Sequence, residues 1–106
     1  MVKRGEVWLV NLDPTVGSEI QKTRPCVVIS PPEMHDCLRT AIVAPMTTGS
    51  HPAPFRIAVR HGGKEGLILL DQIRAIDKTR LVKRAGVLPP AALRATLSAL
   101  GEIFAE

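Results

Sequence analysis

Short β-prone apolar runs, each cut off by proline, glycine or an Asp-Pro turn, recur through most of the chain, and a helical spacing emerges only after Pro89-Pro90. That pattern favours many short antiparallel strands and disfavours helix bundles and parallel α/β sheets. The first run, residues 6–12, stops at Asp13-Pro14-Thr15. A polar segment, 17–23, leads through Arg24-Pro25 into the run 26–30, which the proline is expected to open because it lacks an N–H. Pro31-Pro32 closes that run, and the stretch to Arg39 reads as loop or a single helical turn. Residues 40–47 form a third run in which Pro45 marks an edge or bulge. A polar connection precedes the alternating run 55–59, Gly62-Gly63 makes a turn, 66–70 gives a fifth strand, and 71–77 alternates before a last strand near 81–85. Leu93, Leu97, Leu100 and Phe104 then recur at helical spacing, a stripe expected to lie across the sheet. The reading is one domain over residues 1–106, mainly β with a C-terminal α-helix, curled into a small antiparallel barrel. Its edges call for closure or pairing with a second copy.

Composition narrows the function. Only Trp8, Phe55 and Phe104 are aromatic, so the core is aliphatic and a stacking platform for bases is not expected. Fourteen Lys and Arg against ten Asp and Glu leave a net charge of +4, which suits an anionic partner such as nucleic acid. No run approaches the roughly 18 apolar residues of a membrane span, so a cytoplasmic protein without membrane contact is expected. In a reducing compartment Cys26 and Cys37 read as free thiols, with Cys26 a small core residue. His35-x-Cys37 has no second ligand pair at a sensible spacing, so no metal is expected. Nucleophile triads, Walker loops, HExxH and dinucleotide fingerprints are missing, and no cofactor is implied.

Several polar clusters occur at the ends of these runs: Gly17-Ser18-Glu19, Lys22-Thr23-Arg24-Pro25, Val-Ala-Pro-Met-Thr-Thr over 43–48, and Leu-Leu-Asp-Gln-Ile-Arg-Ala-Ile-Asp over 69–77. In this order, and with the opening Arg-Gly-Glu-Val-Trp-Leu-Val-Asn-Leu-Asp-Pro-Thr, they resemble the MazF/PemK family, toxins of type II toxin–antitoxin pairs. The similarity spans roughly residues 4–81. It implies an SH3-like barrel of the CcdB/PemK-like kind that acts as a homodimer. It also implies a metal-independent endoribonuclease that cuts single-stranded mRNA through the 2′-hydroxyl, leaves a cyclic phosphate, and is neutralised by a cognate antitoxin protein.

Carried over by position, the resemblance places the family's catalytic Arg at Arg24 and its catalytic Thr at Thr47, with Thr48 an adjacent candidate. The family's mechanism also gives this Arg proton-transfer work. A guanidinium, which can grip two phosphate oxygens at once, nevertheless stays protonated near neutrality, which favours charge stabilisation with any base role borrowed from a neighbour. A Thr hydroxyl can donate to a phosphate oxygen. Glu19 is placed to accept the 2′-hydroxyl proton or hold Arg24, and equally reads as a solvated loop carboxylate. Asp71 and Gln72 match an acidic-Gln pair that could read base edges, though Asp71 also suits a turn. Ser18, Lys22, Arg56 and Arg74 are candidate RNA contacts. One branch of the family has His at the position of Ser18 and Arg at that of Leu69, so an acid–base scheme built on those two does not transfer. His35, His51 and His61 read as surface histidines in loops. Two rivals stay open: a gyrase-poisoning toxin of the same fold, disfavoured by the Phe-Ala-Glu ending, and a barrel that only binds RNA or protein.

Overall fold

Strand β2 (Thr23–Val28) ends in an apolar half, Cys26-Val27-Val28, that is buried on both faces. Cys26 and Val28 join Val10, Leu12, Val43 and Ile76 on one side, while Val27 joins Val7, Ala44, Met46, Ile68 and Leu70 on the other. Strand periodicity of two thus splits one continuous apolar run between two clusters, and each fully buried Val contributes roughly 1.5–3 kcal/mol. The computed structural model describes residues 2–49 and 51–106.

Around β2 lie β1 (Glu6–Asn11), β3 (Thr40–Thr47), β4 (Arg56–His61), β5 (Lys64–Leu69), β6 (Arg74–Asp77) and β7 (Leu81–Val87). The sheet order is β4-β5-β3-β2-β1-β7, with β6 paired to β3 off that path, and each pairing is antiparallel. Among the described residues no ladder joins β4 to β7, so the expected barrel is a curled half-barrel. Its ends meet through side chains: the ring of His61 on β4 rests against Gly86 of β7, where a Cβ would stand 3.2 Å from Cε1.

The prolines depart from expectation in an informative way. Pro25 does not open its strand but occupies the third position of β2, opposite Leu9 of β1. The ladder from β2 to β3 begins only at Cys26, so no hydrogen bond is demanded of Pro25 on that side. Pro45 lies where the outer partner of β3 changes from β6 (residues 40–43) to β5 (residues 46–47), again a gap in the ladder.

Residues 32–37 form a full short helix, α1 (Pro32–Cys37). His35 on it is buried, a correction to its reading as a surface residue: its ring bonds Ser30 Oγ at 2.6 Å and the Val2 carbonyl at 3.1 Å. Helix α2 (Pro90–Ile103) lies on the first cluster through Ala92, Leu93, Ala99, Leu100 and Ile103. Leu93 and Leu100 of the expected stripe pack there, and Leu97 and Phe104 do not join them. Thr96 is fully buried and bonds the Ala92 carbonyl at 2.8 Å, Leu97 is only half-buried, and Phe104, just past the last helical residue, is 71% exposed. Both cysteines are free, and burial pushes the Cys26 thiol up to about 12.

Candidate active site

Antiparallel register brings Arg24 and Thr47 together. The β2–β3 ladder pairs Val28 with Val43, Val27 with Ala44 and Cys26 with Pro45, and two further steps set Arg24 opposite Thr47 beyond the last paired residues. The two side chains share the walls of a cleft of about 350 Å³ with Thr48, His61, Lys64 and Gly66. They also share an adjoining hollow of about 340 Å³ that adds Ser18, Leu69 and Gln72. Arg24 is half-buried, and its Nε donates to the Gln21 carbonyl at 3.1 Å, which leaves its other nitrogens for a ligand. Thr47 Oγ1 accepts the Gly49 N–H at 3.2 Å, so its own proton remains available for donation.

The far wall comes from the β4–β5 hairpin. Gly62 and Gly63 have φ of 60° and 75°, the paired positive values of a type I′ turn, and this turn sets His61 opposite Lys64. Alternation along the hairpin then separates its faces. His61 and Lys64 line the cleft alone, Ala58, Arg60, Glu65 and Leu67 line a different hollow, and Val59 and Gly66 border both. Gly66 is required by contact: a Cβ there would stand 2.7 Å from the Thr47 carbonyl oxygen. Among the described lining residues of the cleft Arg24 and Lys64 are cationic and none is acidic, so its field favours a phosphate.

The remaining predicted residues occupy other places. Glu19 lies in a third hollow with Asp71, Gln72 and Arg74, and its Oε1 accepts the Val16 N–H at 2.6 Å, which caps its own loop. The structure does not bring it to Arg24. Gln72 Oε1 accepts the Ile20 N–H at 2.7 Å and so ties that loop to the turn after β5. Arg56 makes a two-pronged ion pair with Asp71, Nε to Oδ1 at 3.1 Å and Nη2 to Oδ2 at 2.9 Å, and also donates to the His51 carbonyl. The Arg56 guanidinium holds the Asp71 carboxyl below its usual value, and Asp71 raises Arg56 in return. Arg74 donates to the Leu12 carbonyl at 3.0 Å, where the loop leaves β1. Lys22 lines neither hollow beside Arg24; its backbone, at φ 71°, closes the loop through Asp13 and Leu12. Among the described residues no three His, Cys, Asp or Glu side chains converge as metal ligands.

The model of a family described as the PemK-like, MazF-like toxin of type II toxin–antitoxin systems matches residues 3–104. The chain belongs to this family. It is 36% identical over 109 residues to the endoribonuclease PemK of Escherichia coli, covering 97% of this chain and 82% of that protein. Its fold matches MazF of Deinococcus radiodurans at a TM-score of 0.85 and 24% identity, over 96% of this chain and 94% of that one. A mycobacterial endoribonuclease solved with its cognate antitoxin matches at a TM-score of 0.80 and 19% identity, over 96% and 93% of the two chains.

Within this PemK/MazF-like frame, Arg24, Thr47, Thr48 and Ser18 converge, whereas Lys22, Arg56 and Arg74 line neither hollow beside Arg24. Leu69 is 1% exposed, so the position where a family branch carries Arg is filled here by a core side chain. His61, Lys64 and Gly66 went unrecognised in the sequence. The alternation of residues 55–59 carried the signal, since continuing it two residues puts His61 on the inward face with Val59.

Proposed function

We propose that this chain is the toxin of a type II toxin–antitoxin pair and an endoribonuclease that cuts single-stranded mRNA through the 2′-hydroxyl, using Arg24 and Thr47. The observation that carries the proposal is the cationic cleft in which those two side chains stand on facing strand ends. Transphosphorylation needs a 2′-oxygen attacking phosphorus in line with the departing 5′-oxygen, and charge builds on the non-bridging oxygens. The Arg24 guanidinium offers paired donors to those oxygens and the Thr47 hydroxyl a further one. The site's donors suit a phosphate better than a divalent cation, which would need several carboxylates. Ser18 and Thr48 line the same path and suit contacts to sugar or phosphate.

One domain over residues 1–106 would act as a homodimer in the cytoplasm, arrest translation by cutting message, and be held inactive by a cognate antitoxin. The relative crystallised with its antitoxin supports that partner. No described helix is long and apolar enough to cross a membrane. The test incubates purified protein with randomised single-stranded RNA in excess chelator. Cleavage leaving a cyclic phosphate, with matched DNA untouched, is expected. Activity lost in chelator and restored by magnesium would overturn the metal-free scheme.

A further inference from the structure

Cleavage through the 2′-hydroxyl needs a group that takes the hydroxyl proton, and neither Arg24 nor Thr47 is suited to it. Glu19 caps its loop in a separate hollow. Of the three histidines, His35 is buried with both ring nitrogens engaged, and His51 is exposed and lines neither hollow beside Arg24. His61 differs on each count. It is half-buried, its ring lines the cleft with Arg24 and Thr47, and its ring nitrogens have no hydrogen-bond partner among the described residues.

We infer that His61 is a catalytic residue of the proposed ribonuclease, the base that accepts the 2′-hydroxyl proton. The assignment rests on the ribonuclease reading of the same cleft. As the bond from the 2′-oxygen to phosphorus forms and the bond from phosphorus to the 5′-oxygen breaks, the 2′-proton passes to the neutral imidazole. The departing 5′-oxygen takes a proton from water, and the imidazolium returns its own to solvent, so the step consumes no net proton. Two features hold the ring in place. The Gly62-Gly63 turn fixes the end of β4, and Gly86, with φ of 147°, leaves room for Cε1 where a Cβ would come within 3.2 Å. The charged groups facing the cleft beside it are Arg24 from β2 and Lys64 from β5; β3 presents the uncharged Thr47 and β7 the Gly86 backbone.

The test measures single-turnover cleavage of randomised single-stranded RNA between pH 5 and 9, beside binding of a 2′-O-methyl version that cannot react. His61→Gln is expected to bind that probe within about threefold of the wild type and to cleave roughly 100-fold slower or more. It should also lose the dependence of the rate on pH that a general base imposes. His61→Ala should regain part of its rate with added imidazole, a rescue that a merely structural histidine would not give. Wild-type-like cleavage and pH profile in His61→Gln, with the wild type active, would remove His61 and leave the ribonuclease reading standing. RNA left intact by folded wild-type protein would overturn both.

Discussion

Gln72 Oε1 accepts the Ile20 N–H at 2.7 Å, so a side chain on the turn after β5 holds the loop that presents Ser18 to the cleft. Spatially this is a staple across 52 positions of sequence, and it gives Gln72 a task other than reading a base edge. A neutral hydrogen bond of this kind is worth about 0.5–1.5 kcal/mol. Gln72→Ala should therefore speed hydrogen exchange at the Ile20 amide roughly threefold to tenfold, while Gln72→Glu, which keeps the acceptor, should not. Equal exchange in both variants and the wild type would remove the staple.

Close approach, not chemistry, explains Gly66. A Cβ there meets the Thr47 carbonyl oxygen at 2.7 Å and its carbon at 3.3 Å, so Gly66→Ala must displace the end of β3. Overpacking of this kind costs about 1–3 kcal/mol. The variant should melt lower and cleave RNA at least tenfold slower, because Thr47 moves with its backbone. Gly101→Ala, on an open stretch of α2, has nothing within 4 Å of the new methyl and should gain about 0.5–1 kcal/mol without changing cleavage. Urea unfolding and single-turnover rates on the two variants check the contrast.

How much of this was legible in the sequence depended on how local the cause was. The continuous apolar run 41–46, bounded by turn signals, exposed the strand 40–47 at its observed limits. Pro25 and Pro45 misled or only hinted, since a proline's tolerance depends on which neighbour pairs at that position, and register is not local. The helix was found with Leu93 and Leu100 on its packed face, and Thr96 was missed because it can bond its hydroxyl to the Ala92 carbonyl and enter the core. Charge alone made Arg56 and Arg74 resemble RNA contacts. The structure adds bonds from them to Asp71 and to the Leu12 carbonyl, fifteen and 62 positions away in sequence, which charge alone could not reveal.

Glu6 supplies a test of stability against pH. Burial alone would raise its carboxyl, but hydrogen bonds from the Lys3 N–H, Arg84 and Trp8 outweigh it and hold the group below its ordinary value of 4.5. A carboxyl lowered on folding adds stability that is present above its ordinary value and is lost as pH falls through its folded value. Glu6→Gln should accordingly cost about 1.5–3 kcal/mol at pH 7, with the gap to the wild type narrowing below about pH 4.5. Denaturant unfolding at pH 7, 5 and 3 checks this, and a gap that widens in acid would contradict it.

The most direct test of the account concerns Arg24, the group assigned to the charge on the transferring phosphate. Arg24→Lys keeps the charge and loses the planar fork that can hold two oxygens. Single-turnover cleavage of randomised single-stranded RNA at saturating enzyme, measured beside binding of the 2′-O-methyl probe at two salt concentrations, separates catalysis from attraction. The account predicts binding within a few-fold of the wild type and cleavage slower by roughly 100-fold or more, the loss typical of a missing oxyanion donor. An unchanged single-turnover rate, with weaker binding and a salt slope smaller by about one phosphate contact, would contradict it.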